Sequence, residues 1–390
     1  MAKLTLYADI YPSGHKSIVS TIAELVASGK MPPMTGVISK HDASNGYWSN
    51  VRSCTKETVL VEPPLTKAFY RKDIDDVTGE LIVQRKVKKK HMPHEEFWGE
   101  IVEASIAEAL RKPTKGEAII SPIIDTYTKD SILIKDLKEN PYAIKTGHDL
   151  VYARFNQRMT EFVVKKTKGK KDERKIFAGL FLDSDIIRDP AFLDIVDSYK
   201  EMKIHGYFLV MQDITFDSSL ERLLALKGFI ERLKNNNPER KIVLYRTGML
   251  GALYAAIFPD IQIGCTYGLP YRDSYNIRNI NPAKETRPLK SSKLIYSPVL
   301  LNTVKIQDAL KAWAPLETDL DAISAKENHI AMVKMAELTQ GLVHKLNVST
   351  DAKVLLAEHV KKGIACAAKN RVLRPYATHL IAWKEFLERV

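Results

Sequence analysis

Between residues 176 and 313, short apolar runs alternate with amphipathic stretches, and this alternation is the most informative pattern in the chain. Residues 176–183 (IFAGLFLD) predict a buried strand. Asp189 as N-cap and Pro190 at the first helical position then open a helix reaching about Lys203. Residues 206–213 (GYFLVMQD) predict the next strand. Ser218 and Ser219 are candidate caps for a helix whose Leu220, Leu223, Leu224, Leu226, Phe229, Ile230 and Leu233 recur at helical spacing until Pro238. A third strand follows over 241–246, a short helix over 248–258, a fourth strand over 261–267, a fifth over 294–300 and a helix near 306–313.

Strands spaced in this way, apolar on both faces and separated by helices, predict a parallel sheet, because parallel neighbours need crossovers of about a dozen residues or more. The glycine fingerprint of a dinucleotide-binding open sheet is absent, so the expected fold class is α/β, a parallel (β/α) TIM-like barrel with basic insertions and a C-terminal helical bundle. Further strand candidates are 4–10 and 118–125, which make seven, and either 59–62 or 34–38 would make eight. A helix is expected over 95–111. The barrel is expected to occupy 1–315, with insertions at about 40–94, including a basic hairpin, and at 165–175. Residues 316–390 form a helical region of three or four helices.

Composition adjusts this picture modestly. The chain has 390 residues, 45% of them hydrophobic, enough for a large core and too apolar for disorder. Three well-separated cysteines, Cys54, Cys265 and Cys366, encode neither a disulfide framework nor a zinc knuckle. No signal peptide and no apolar run of about 18 residues is present, so a cytoplasmic protein without membrane contact is expected. With 59 basic and 47 acidic residues the net charge is +12, which suggests a polyanionic partner. Residues 85–90 (RKVKKK) contribute five of these charges. Residues 165–175 carry seven basic and two acidic residues and contribute five more. Lys88, Lys89, Lys90, Lys170 and Lys171 are therefore the nucleic-acid-binding candidates.

In parallel α/β folds the chemistry sits at the C-terminal ends of the strands. Asp125, Asp183, Asp213, Arg246 and Tyr267 each close an expected strand, as does Asp9 at the amino end. Asp213, Asp183 and Asp125 are the catalytic candidates, since paired carboxylates can divide acid and nucleophile or oxocarbenium-stabilising roles. The competing reading is structural: an Asp after a strand is a common helix cap or Asx-turn residue, most of all Asp185 and Asp189. Arg246 is suited to hold a phosphate or carboxylate through two hydrogen bonds. Tyr267, Tyr271 and Arg272 are candidate substrate contacts, the last two in a loop that interleaves aromatics with Arg272 and Arg278 as nucleotide-binding loops do. His91 and His94 beside Glu95 and Glu96 are better explained by a basic hairpin and a helix cap than by a metal. Neither a metal nor a cofactor is expected.

The stretch from Leu180 to about Asp308, with GLFLDSDIIRDPAFL, GYFLVMQDITFDSSLERLLALKGFIERL, KIVLYRTGMLGALYAAIF and IGCTYGLPYRDSYNI, resembles a bacterial family found in mobile or phage-related loci. More distantly, the strand order is similar to the barrel of tRNA-guanine transglycosylases and their DNA-modifying relatives. The cysteine and histidine cluster of that family's structural zinc is not matched. What this resemblance implies is a barrel in which Asp213 or Asp183 attacks a glycosidic carbon. The sequence therefore predicts an enzyme directed at nucleic acid or a nucleotide, using glycosidic-bond chemistry of the base-exchange or glycosidase kind. A phosphorylated small-molecule substrate is a variant of the same reading. The alternative is a non-catalytic scaffold subunit, binding nucleic acid or protein, in a phage-defence or mobile-element complex.

Overall fold

A computed structural model of the chain describes residues 3–10, 16–40, 45–55, 59–62, 118–121, 123, 148–168, 174–211, 213–268, 294–312 and 328–390. Eight parallel strands close into a barrel: β1 (Lys3–Ile10), β2 (Gly36–Lys40), β3 (Leu60–Glu62), β4 (Ala118–Ile120), β5 (Lys175–Leu182), β6 (Gly206–Met211), β7 (Lys241–Tyr245) and β8 (Gln262–Gly268). Each strand pairs with the next. β8 pairs back onto β1, with Leu6 opposite Cys265, so no sheet edge is left open. The wall of helices includes α1 (Lys16–Ala27), α2 (Asn45–Ser53), α3 (His148–Thr167), α4 (Pro190–Ser198), α5 (Leu220–Asn236) and α6 (Leu250–Ile257).

The period-2 alternation of each strand builds two separate cores. Phe177, Phe181, Phe208, Val210, Val243 and Tyr245 point inward and fill the barrel together with Tyr7 and Ile38, so the interior is packed rather than hollow. Ala178, Leu180, Leu182, Leu209, Met211, Leu244 and Cys265 point outward into the layer beneath the helices. Two inward positions are glycine because a large ring needs the space. A Cβ on Gly36 would lie 2.5 Å from Cδ1 of Tyr7, and one on Gly264 would lie 2.8 Å from Cε2 of the same ring. Lys241 closes this end of the barrel, its Nζ 5.0 Å from the Tyr7 ring centroid and donating to Thr5 Oγ1 at 2.7 Å.

The fifth strand expected over 294–300 is not part of the barrel. β9 (Leu294–Ser297) turns back antiparallel onto β10 (Asn302–Lys305) through a turn with Leu301 at φ 51°, and α7 (Ile306–Lys311) follows. A short apolar run reads the same in a barrel strand and in a covered hairpin, and only the connection separates them. The barrel takes β3 instead, so α2 and β3 occupy the first part of the expected 40–94 insertion. The expected hairpin at 80–90 and helix at 95–111 lie outside the described residues.

Asp189 caps α4 as expected, accepting from the backbone N–H of Ala191 at 2.8 Å and of Phe192 at 3.3 Å. Ser219 occupies the cap position of α5 but makes no side-chain cap bond. The Ser218 hydroxyl accepts instead from the Thr215 N–H within the preceding loop. The carboxyl-terminal helices α8 (Asn328–Val348), α9 (Ala352–Lys369) and α10 (Thr378–Arg389), with a 3-10 turn over Arg371–Tyr376, lie against the barrel wall and share its outer core through Val343, Leu356, Val360, Trp383 and Phe386. The Asn347 side chain on α8 both accepts from the Leu4 N–H and donates to the Leu4 carbonyl, at 2.8 and 2.9 Å. No helix among the described residues is long and apolar enough to cross a membrane.

Candidate functional site at the C-terminal mouth

β5 and β6 are neighbours, so the residues that leave them stand side by side on the C-terminal rim. Asp213 accepts from the Ser184 N–H at 2.9 Å with one carboxylate oxygen and from the Ser184 hydroxyl with the other. Arg222, in the first turn of α5, lies 3.3 Å from the second oxygen and also donates to the Asp213 carbonyl at 2.9 Å. The Asp213 side chain remains 26% exposed, so the carboxylate is held in place yet reachable from solvent. Asp183 serves differently. Its Oδ1 accepts from the N–H groups of Asp185 and Ile186 at 2.9 and 2.7 Å, an Asx cap on the short 3-10 turn Ile186–Arg188. Arg188 then pairs with Glu221 at 2.8 Å across the rim.

One strand further round, Arg246 follows β7 with φ 51°, in the left-handed region that costs a non-glycine residue about 1–2 kcal/mol. Gly248, two residues on, is left-handed as well at φ 56°. The conformation turns the Arg246 N–H onto Thr266 Oγ1 of β8 at 2.5 Å and sets the guanidinium carbon 5.0 Å from the centroid of Tyr245, an inward-pointing ring of the barrel core. Tyr245 in turn packs against Phe208 with centroids 4.9 Å apart. A cation is thus carried over the aromatic floor of the mouth, in the loop after strand seven, a part of the barrel that commonly contributes to phosphate sites.

The strand-end rule therefore brings Asp183, Asp213 and Arg246 to one end of the barrel. Tyr267 lies on β8 opposite Ala8 of β1, and Asp9 lies on β1 opposite Ile38 and Gly268. Asp125, Tyr271, Arg272, Lys88, Lys89, Lys90, Lys170 and Lys171 fall outside the described residues. Ser184 and Arg222 are the rim residues that sequence reasoning missed. The signal for Arg222 was available: it stands one turn into the helix that follows a strand-end aspartate. Among the described residues no cluster of His, Cys, Asp and Glu is arranged to hold a metal ion.

Two buried polar groups outside the mouth have structural explanations. Arg240, 5% exposed, donates to the carbonyls of Tyr199, Lys200 and Met202 and to the Tyr207 hydroxyl, closing the carboxyl end of the α4 segment. His379 is wedged edge-on between Phe216 and Trp383, and burial pushes its pKa down to about 4.

No protein-family model matches the chain, and no curated protein matches it in sequence. Among solved structures it is similar to PhdJ bound to a substrate intermediate, at 9% identity and TM-score 0.35 over 100% of this chain and 97% of that one. It is also similar to a Rhizobium etli pyruvate carboxylase variant crystallised without acetyl coenzyme A, at 10% identity and TM-score 0.34 over 99% of this chain and 46% of that one. Likenesses at this level carry no argument about activity.

Proposed function

We propose that the chain is an enzyme working at the C-terminal mouth of its barrel on nucleic acid or a nucleotide, with Arg246 as the phosphate anchor and Asp213 as the carboxylate of a glycosidic-bond reaction. The observation that carries this reading is Arg246 itself: an arginine kept in a costly left-handed conformation at a strand end, stacked over the aromatic floor. In this reading the Asp213 carboxylate, oriented by Ser184 and Arg222, stabilises positive charge developing on the sugar carbon as the bond electrons leave with the base. Asp183, committed to capping, supports the loop and takes no proton. The test is release or exchange of a base from nucleosides, nucleotides and short oligonucleotides by the wild type, Asp213→Asn and Arg246→Lys. Turnover lost by at least about 100-fold in Asp213→Asn, with Arg246→Lys impaired only on phosphorylated substrates, supports it. Turnover untouched by both substitutions would overturn it.

The second reading, a non-catalytic scaffold, is favoured by one specific observation: both rim carboxylates also stitch loops, Asp183 to its own turn and Asp213 to Ser184. On that reading Asp213→Asn leaves partner binding intact, and charge reversal at Lys88, Lys89, Lys90, Lys170 and Lys171 abolishes it.

A further inference from the structure

Residues 359–384 contain six basic residues, Lys361, Lys362, Lys369, Arg371, Arg374 and Lys384, and no aspartate or glutamate. This is a third concentration of charge beside 85–90 and 165–175, and it lies on described helices. All six side chains are exposed. Lys384 is paired with Glu388. Lys361, Lys369, Arg371 and Arg374 pair with no carboxylate among the described residues, and Arg374 makes one long bond, 3.4 Å, to the Ala368 carbonyl. Lys361 and Lys369 are eight residues apart on α9, hence on one face and about 12 Å apart along its axis. Arg371 and Arg374 continue the line around the 3-10 turn.

The direction of these helices fixes where the line ends. α8 finishes beside the start of β1, where Asn347 holds Leu4, and α9 begins four residues after Val348. At the other end, α10 begins against the loop that leaves β6: the His379 ring packs 5.1 Å from Phe216, and Trp383 Nε1 donates to the Phe216 carbonyl at 2.9 Å. α9 therefore climbs from the N-terminal to the C-terminal side of the barrel and delivers Lys369, Arg371 and Arg374 to the end that carries Asp213 and Arg246.

We infer that the α9 face and the following turn form a nucleic-acid backbone track that leads to the mouth. The inference shares its partner class with the function proposed above and adds a surface to it. The chemistry of the face favours phosphates over other polyanions. Ile381 is the one large apolar side chain standing more than half exposed within 359–384, and Ala365 and Ala368 lie between the cations, so there is no apolar face to enter a membrane. Within 359–384 no exposed aromatic anchor marks a protein interface, where lysine is depleted.

The test uses the full chain, a short DNA duplex and a single-stranded RNA of arbitrary sequence, with affinity measured as a function of salt. Replacing Lys361, Lys369, Arg371 and Arg374 together by Gln is expected to weaken binding at least about tenfold and to lower the log–log salt slope for the duplex by about 3 to 4, near 0.9 for each lost phosphate contact. Lys384→Gln, whose charge is already paired, is the control and leaves both unchanged. Thermal melting of the fourfold variant establishes that it is folded. An unchanged slope in the folded variant overturns the inference, as does wild-type binding to phosphatidylserine vesicles without binding to either nucleic acid. Phosphate or mononucleotide binding at Arg246 is measured separately and stays unaffected by the fourfold change, so failure of the track and failure of the mouth are distinguishable.

Discussion

The Asp213 carboxylate receives both the backbone N–H and the hydroxyl of Ser184, so a single side chain ties the end of β6 to the end of β5. If that bridge stabilises the rim, Ser184→Ala and Asp213→Asn each lower the unfolding free energy by about 1 kcal/mol. The double variant then loses less than the sum of the two. Urea denaturation of the four proteins gives the coupling directly, and a coupling of zero would show that the bridge is incidental.

At Arg246 the usual ranking of substitutions is expected to invert. Arg246→Gly relieves about 1–2 kcal/mol of left-handed strain, which offsets the lost stacking on Tyr245. Arg246→Ala keeps the strain and loses the stacking. The glycine variant is therefore the more stable of the two, by about 1 kcal/mol, while both bind phosphate at least about tenfold more weakly than the wild type. Thermal melts and phosphate titrations read the two effects separately.

Gly36 is one of the strand positions where the barrel has no room for a side chain. In Gly36→Ala the new methyl meets the Tyr7 ring, which is itself held between Gly264 and Lys241 and has nowhere to move. A loss of about 1–3 kcal/mol is expected in chemical denaturation. Gly228, on α5, has open space around its Cβ position, and alanine there is expected to be neutral or stabilising.

His379 makes stability depend on pH. In the unfolded chain its imidazole takes up a proton near pH 6.5, and in the fold burial delays this to about pH 4, against opposing influences from Asp217 and a backbone bond at Leu300. The unfolded state therefore binds more protons between these values. The full contribution is present above about pH 6.5 and is lost as the pH falls toward 4, at a limiting cost on the order of 3 kcal/mol. Subtracting the stability profile of His379→Phe from that of the wild type isolates this term. A difference that is flat from pH 7 to about 4 would refute it.

Strands β5 to β8 were legible because each is a largely apolar run, and β5 and β6 are each followed by a helix whose start the sequence marks. β3 and β4 were found as the apolar runs 59–62 and 118–125, but with three residues each, Leu60–Glu62 and Ala118–Ile120, they are too short for a period to fix their bounds. The 294–300 run misled for the opposite reason, being apolar enough for a barrel strand although it belongs to a hairpin. At the mouth, the strand-end rule found Asp183, Asp213 and Arg246 as positions but not their roles. Ser184 reaches Asp213 across 29 residues of sequence, and the backbone conformation of Arg246 is set by its turn, which no side-chain pattern encodes.

The paired bonds between Asn347 and Leu4 bear on how the protein is made. Translation from the amino end exposes β1 before the other barrel strands, with Leu4 and Leu6 uncovered, while β8 is still to come and Asn347 lies 343 residues downstream of Leu4. β1 is thus completed only once β8 and α8 have arrived, and until then it presents open backbone groups that invite pairing with other chains. A nonsense codon that spares the entire barrel but removes α8 would leave β1 paired with β2 and β8 yet strip the Leu4 backbone of its Asn347 partner, so the region encoding the carboxyl-terminal helices finishes a strand encoded at the other end of the sequence.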